Sequence, residues 1–198
     1  MHIKKEEKLL FNSYKELILS WGKTHNLMSK SALQEIDLHI DDSLSVATKI
    51  QGKNIIDLGS GAGFPGIPVA IRRKELKFYL VESNNKKSSF LFRTVHELGL
   101  TNVEVISERM ENFFLKKTDV EIIARAFGDI DRAISTSSYY LDRGALLRLM
   151  KTNSQKQKIG KKLSKKYQII STENIYSELR SQNILITVGS KCNKQEGN

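Results

Sequence analysis

The sequence predicts an α/β fold, a mostly parallel sheet with helices on both faces, preceded by a helical N-terminal extension. Three observations predict it. From residue 54 onward, short apolar runs alternate with amphipathic stretches, the pattern of strand–helix units feeding a parallel sheet. The run Asn54-Ile55-Ile56-Asp57-Leu58 leads directly into a turn with glycine at 59, 61 and 63. The first fifty residues carry two stretches of helical periodicity.

Residues 4–22 set Leu9, Leu10, Tyr14, Leu17, Ile18 and Trp21 at helical spacing and end at Gly22, a helix stop. Trp21 reads as a core anchor. A second helix is expected over 31–49, capped by Ser31 with Gln34 and Glu35 in its first turn. Leu33, Ile36, Ile40, Leu44 and Val46 form its apolar face, and Gly52 marks entry to the sheet. Strands are expected at 55–58, 77–82, 103–106, 120–124, 145–150, 167–172 and 183–188. Helices are expected at 66–74, 84–98 and 130–141. The chain reads as one structural domain: an extension over 1–50, the sheet domain over 51–190 and a polar tail over 191–198.

At 198 residues and 39% hydrophobic composition, the chain can bury one sizeable core. No run of about eighteen apolar residues exists, so no membrane span is expected. The N-terminal residues lack the apolar core of a signal peptide and Cys192 is the only cysteine, so the cytoplasm is the expected location. A single cysteine excludes an intrachain disulfide and a cysteine zinc cluster, and no metal is expected. Lysine and arginine outnumber acids 32 to 22, a net charge of +10 that favours a polyanionic partner such as nucleic acid. A lysine-rich composition with solvated charges is the alternative. Lys151, Lys156, Lys158, Lys161, Lys162, Lys165 and Lys166 crowd one segment. Arg72, Arg73, Lys74, Lys86 and Lys87 add clusters that could line an RNA backbone.

Residues 54–68 constrain function most tightly. Glycine at 59, 61 and 63 removes side chains that would hold a ligand away. It also permits a sharp turn into a helix whose first N–H groups are free. Two registers are open. Gly61-Ala62-Gly63-Phe64-Pro65-Gly66 matches the G-x-G-x-x-G of dinucleotide sites, which seat a pyrophosphate on the helix N-terminus. Asp57-x-Gly59-x-Gly61-x-Gly63 resembles the first motif of S-adenosylmethionine-dependent methyltransferases. The second is preferred, because strand, acidic residue and turn then follow without a gap.

Glu82 ends the second strand, 23 residues beyond Gly59, near the distance at which nucleotide folds place an acid on ribose hydroxyls. Met110 can wall a nucleobase and Glu111 or a main-chain group can read its edge, although an exposed helix start explains both equally. Arg125 closes the fourth strand. A cation there is costly unless paired, and it reads as contacting a ligand carboxylate or phosphate in preference to a structural ion pair. His39 and Asp42, at i and i+3, read as a helix-to-loop hydrogen bond rather than a catalytic pair. Arg109 and Lys151 are further candidates for phosphate contact.

Several stretches together resemble one family. They are His39-Ile-Asp-Asp-Ser-Leu44, Ile56-Asp-Leu-Gly-Ser-Gly-Ala-Gly-Phe-Pro-Gly-Ile-Pro68 and Val81-Glu-Ser-Asn-Asn-Lys-Lys87 with Phe90-Leu91. His96-Glu-Leu-Gly-Leu-Thr-Asn-Val-Glu-Val105 and Arg125-Ala-Phe127 belong to the same set. The resemblance is to the glucose-inhibited division protein B family, also called ribosomal RNA small subunit methyltransferase G, bacterial enzymes that methylate guanine N7 in 16S rRNA. It covers residues 10–150 and implies a seven-stranded, Rossmann-like methyltransferase sheet. It implies an S-adenosyl-L-methionine site at Gly59, Gly61, Phe64, Glu82, Met110, Glu111 and Arg125, with Arg125 orienting cofactor or nucleotide. The implied partner is 16S rRNA, in the small subunit or an assembly intermediate, and the chain is expected to be a monomer.

Departures from the family pattern fall on the substrate side. Met28 follows Asn26-Leu27 where a threonine is usual, Leu38 replaces an arginine, and Met150-Lys151-Thr152 replaces Leu-Lys-Gly. Two rival readings accompany the enzyme: a catalytically degenerate rRNA-binding or assembly factor, and a nicotinamide-dependent oxidoreductase if the dinucleotide register holds.

Overall fold

The structure, a computed structural model, describes residues 3–152, 166–176 and 183–191. Cys192, most of the tail and Lys156, Lys158, Lys161, Lys162 and Lys165 lie outside the described residues. Three helices come first: α1 (Lys5–Gly22), α2 (Lys30–Gln34) and α3 (Ile36–Leu44). They are followed by β1 (Asn54–Leu58), α4 (Gly66–Arg72), β2 (Lys77–Val81), α5 (Asn85–Glu97) and β3 (Val103–Ile106). A 3₁₀ turn at Met110–Asn112 precedes β4 (Val120–Arg125), α6 (Ile130–Leu141), β5 (Leu146–Thr152), β6 (Tyr167–Ile175) and β7 (Asn183–Ser190).

The sheet has seven strands in the order β3-β2-β1-β4-β5-β7-β6. The four pairs among β1 to β5 are parallel, and β7 runs antiparallel to both β5 and β6. The strand order therefore reverses at β1, which pairs with β2 on one side and β4 on the other. Crevices at the carboxyl ends of strands on either side of such a reversal are where open α/β sheets bind ligands.

One expected element is corrected. The helix predicted over 31–49 is two helices, broken at Glu35, whose φ of −112° and ψ of 24° are not helical. The cap is Ser29 rather than Ser31: Ser29 is extended, and its hydroxyl accepts from the Ala32 amide at 3.2 Å. The second helix stops at Leu44, where hydroxyls compete for its carbonyls. Ser43 Oγ donates to His39 O at 2.7 Å and Ser45 Oγ to Asp42 O at 2.6 Å.

Two apolar clusters cover the sheet, one per face. Ile55 points into a cluster with α1, α3, α4 and α5, whereas Ile56 points into one with α6, as the two-residue strand period requires. Trp21 sits at the edge of the first cluster, half-buried, with its ring 5.7 Å from Phe90. The extension is tied to the sheet domain by cations. Arg72 pairs with the buried Glu7 at 2.8 Å, and Arg73 donates to the carbonyls of Ala47 and Ile50 at 2.5 and 3.2 Å. These two arginines, read as part of a surface cluster for RNA, are instead used to dock α1 and the segment after α3.

Candidate functional site

The glycine turn is packed from both sides. Gly63 has φ of +96°, and a Cβ there would stand 2.5 Å from Ile67 Cδ1 and 2.8 Å from the Tyr14 hydroxyl. That hydroxyl donates to the Ala62 carbonyl at 2.6 Å, so α1 grips the turn from behind. Gly61 has φ of +58° but faces open space, its nearest neighbour being the Gly59 carbonyl at 3.8 Å. On the cleft side, the Phe127 ring lies against Gly59 so closely that a Cβ would stand 2.7 Å from it.

Four amides of the turn and the helix start already have protein acceptors. Gly61 N donates to Glu82 Oε2 at 2.9 Å and Gly63 N to Ser60 O at 2.7 Å. Gly66 N donates to Asp57 Oδ2 at 3.1 Å, and Ile67 N to Gly63 O at 2.8 Å. The expectation of free N–H groups at this helix start is therefore wrong, because α4 is buried and a protein carboxylate caps it. A Cβ at Gly66 would stand 2.5 Å from that same Asp57 oxygen. No phosphate can share the position, which removes the dinucleotide register and the nicotinamide reading with it.

Asp57 is fully buried, and its Oδ1 has no hydrogen-bond partner among the described residues. Burial pushes its carboxyl up to about 7, against the opposing pull of Ser60, the Gly66 amide and Arg125; Glu82 adds to the rise.

A cleft of about 310 Å³ opens at the carboxyl ends of β1 and β2 and the end of β4. It brings together five of the expected residues: Gly59, Glu82, Arg109, Met110 and Glu111. Glu82 accepts from Gly61 N and, at 2.8 Å, from Asn84 N, which leaves lone pairs on each oxygen for further donors. Met110 is buried as an apolar wall, and Glu111 is exposed beside it. The 3₁₀ turn, rather than a helix start, presents this pair.

Phe64, Gly61, Arg125 and Lys151 are not in that lining. Arg125 turns away to the back of the glycine turn. Its Nη1 is 3.2 Å from both Asp42 Oδ2 and His39 Nδ1, and its guanidinium lies 4.8 Å from the Phe64 ring centre. Asp42 also accepts from Asn183 Nδ2 at the start of β7. His39 and Asp42 thus share a face as expected, but their partner is a strand-end arginine and not a loop. Lys151, buried at the end of β5, donates to the Gly128 carbonyl at 2.7 Å; burial lowers its pKa, with Asp129 acting oppositely.

Sequence reasoning missed the far wall of the cleft, formed by Ala126, Phe127, Gly128, Arg132 and Thr136. Ala126 has φ of +56°, a conformation that costs about 1–3 kcal/mol in a non-glycine residue and concentrates at functional sites. The signals there were Gly128, a turn residue just before α6, and the Arg125-Ala-Phe127 stretch. Among the described residues, no group of three or more metal-ligating side chains occurs.

With this geometry in place, comparison with known proteins is decisive. The family model for rRNA small subunit methyltransferase G matches residues 7–184. The chain belongs to that family. In this chain the His39–Leu44 helix and the Ile56–Pro68 turn touch through Arg125 and Phe64. It is 45% identical over 127 residues to the enzyme of that name from Nitrosomonas europaea, covering 64% of this chain and 59% of that one. Against the Nitrosococcus oceani relative it is 41% identical over 137 residues, covering 68% and 64%. The chain thus spans about three fifths of the curated relatives it matches.

Solved structures share the fold. An S-adenosylmethionine-dependent O-methyltransferase from Thermotoga maritima superposes with a TM-score of 0.58 at 20% identity, over 78% of this chain and 66% of that one. An S-adenosylmethionine-dependent methyltransferase from Aquifex aeolicus gives 0.54 at 15% identity, over 81% and 98%.

Proposed function

We propose that this chain transfers a methyl group from S-adenosyl-L-methionine to guanine N7 of bacterial 16S rRNA. The observation that carries the reading is the cleft at the sheet's reversal point, which joins Gly59, Glu82, Met110 and Glu111 beside a helix N-terminus closed to phosphate. The family and the basic composition support the RNA. The residues fit the cofactor: Gly61 leaves open space, Glu82 keeps lone pairs for ribose hydroxyls, Met110 walls the adenine, and Glu111 or a neighbouring main-chain group reads its edge.

Bound there, the cofactor supplies a sulfonium-activated methyl. Guanine N7 carries a lone pair and no proton, so the protein needs no general base. The protein's task is alignment. Arg125 and Phe64 act on it from behind, holding the turn in place between α3 and the cleft. Lys151 holds the Gly128 carbonyl and with it the far wall, and the exposed Arg109 at the rim meets phosphate. The chain works as a monomer on the small subunit or an assembly intermediate, in the bacterial cytoplasm. No helix among the described residues is long and apolar enough to cross a membrane.

The test uses labelled cofactor with small subunits lacking the modification, followed by mapping of the methylated base. Label at one guanine N7 is the expected result. RNA binding without cofactor binding in titration calorimetry would instead establish a degenerate assembly factor.

A further inference from the structure

The segment between the 3₁₀ turn and β4 holds an aromatic ring outward. Tyr140, buried at the end of α6, donates its hydroxyl to Phe113 O at 2.7 Å and accepts from Leu115 N at 3.0 Å. Both neighbours of Phe114 are thereby clamped, and Phe114 itself is 56% exposed. Its ring meets Tyr139 edge-on at 4.9 Å. The Arg143 guanidinium lies 3.7 Å from the centre of the Tyr139 ring, and its Nη1 donates to Tyr139 O at 2.8 Å. Arg143 also lines a cleft of about 260 Å³ with Leu115, Lys117 and Tyr140. Lys116 and Lys117 are exposed next to Phe114.

We propose that Phe114, Tyr139 and Arg143, with Lys116 and Lys117, form a second RNA-binding site, adjoining the cofactor cleft on the side of Glu111 and Thr136. The site rests on the RNA substrate proposed above. A single exposed apolar ring is ordinary on a protein surface. Here the ring is fixed in place, backed by a second ring and a stacked guanidinium, and flanked by two lysines. That combination supplies π-faces for bases and cations for phosphates, the two elements that single-stranded RNA binding uses. The exposed apolar area is one ring wide, too small for a protein-docking face, and the net charge of +10 favours a polyanion.

Position makes the site useful. The second cleft is lined by Val120 at the amino end of β4, whereas Ala126, just past its carboxyl end, lines the cofactor cleft. The six residues of β4 separate the two by roughly 15–20 Å. Binding energy gained at the second site can be spent on aligning the nucleotide in the cofactor cleft.

The test compares the full chain with K116Q/K117Q and F114A, using small subunits and a protein-free 16S rRNA transcript as probes. F114A should weaken RNA binding about 5- to 150-fold. K116Q/K117Q should flatten the log–log salt dependence of binding by about 1.4–1.8 if both lysines meet phosphate. Both should raise the KM for RNA and leave kcat and the calorimetric cofactor Kd unchanged, whereas K8Q/K23Q on α1 should change nothing. Unaltered RNA affinity and salt slope in both variants, with a wild-type chain that methylates its substrate, would overturn the second site alone. An effect seen on subunits but not on transcript would assign the surface to a ribosomal protein and overturn it too. A wild-type chain that binds no RNA would bring down the functional reading as well.

Discussion

Gly61 and Gly63 stand two residues apart, both with positive φ, yet alanine should affect them very differently. At Gly61 the only penalty is backbone strain, about 1–2 kcal/mol for a left-handed L-residue, because a Cβ meets nothing nearer than 3.8 Å. At Gly63 the same Cβ would overlap Ile67 Cδ1 at 2.5 Å and the Tyr14 hydroxyl at 2.8 Å. Overpacking of that kind adds about 1–3 kcal/mol. Displacing Tyr14 also endangers its bond to Ala62 O, worth about 1 kcal/mol net. G63A should therefore lose about 3–6 kcal/mol in all. Urea unfolding followed by fluorescence gives both values from the midpoint shift at constant slope. Calorimetry with S-adenosyl-L-methionine then separates fold from binding: G61A should stay folded but bind weakly, since the proposed cofactor site uses the open space that its Cβ enters. Equal destabilisation of the two variants, or full cofactor affinity in G61A, would refute the division into a packing glycine and a ligand glycine.

Asp57 makes a pH prediction. Its carboxyl titrates near 7 in the fold and near 3.9 unfolded, so the native state holds the proton between those values. That contribution is complete below about pH 4 and is lost as pH rises through 7; D57N should remove this part of the slope, gaining on wild type by up to about 4 kcal/mol at pH 8. Urea midpoints measured from pH 4 to 8 check it, and parallel curves would count against the buried neutral acid. D42A strips the carboxylate from a largely buried Arg125 and should destabilise by about 3–5 kcal/mol while lowering cofactor affinity through Phe64, both read by unfolding and calorimetry. Glu121 and Arg148 form a buried bidentate pair at 2.6 and 3.3 Å, with Glu121 also accepting from Gly52 N at 2.9 Å. A double-mutant cycle with E121Q and R148M should show coupling above about 1 kcal/mol in unfolding, with the cofactor Kd unchanged.

Local chemistry made much of the fold legible. Strand and helix positions from Asn54 to Met150 follow from apolar periodicity and from the caps and stops beside it, such as Asn84 before α5 and Gly99 after it. Errors arose where the chain chose between nearly equal local options. Ser29 and Ser31 are both good caps, and the choice depends on which one is extended when α2 packs. Strands β6 and β7 run longer than their apolar cores because cross-strand pairing, which periodicity does not encode, extends them to Ile175 and Ser190.

The site divided in the same way. Glycine spacing, Glu82 and the Met110–Glu111 pair mark a cleft in the sequence, because each lies at a fixed distance from a strand end. The direction Arg125 takes depends on side chains more than eighty residues away, and the far wall of Ala126 and Phe127 depends on Phe127 meeting Gly59 across the cleft. Arg125 finds Asp42 and His39 on α3, and Tyr14 reaches Ala62 from α1. By itself, then, the sequence determined the α/β class, the family and the place of the glycine turn, since short-range geometry specifies all three. Only the tertiary structure decided that α4 begins on a buried carboxylate and is closed to phosphate, and that two expected RNA cations serve to dock the extension. Those are outcomes of which charges meet when distant elements pack, and spacing along the chain does not record them.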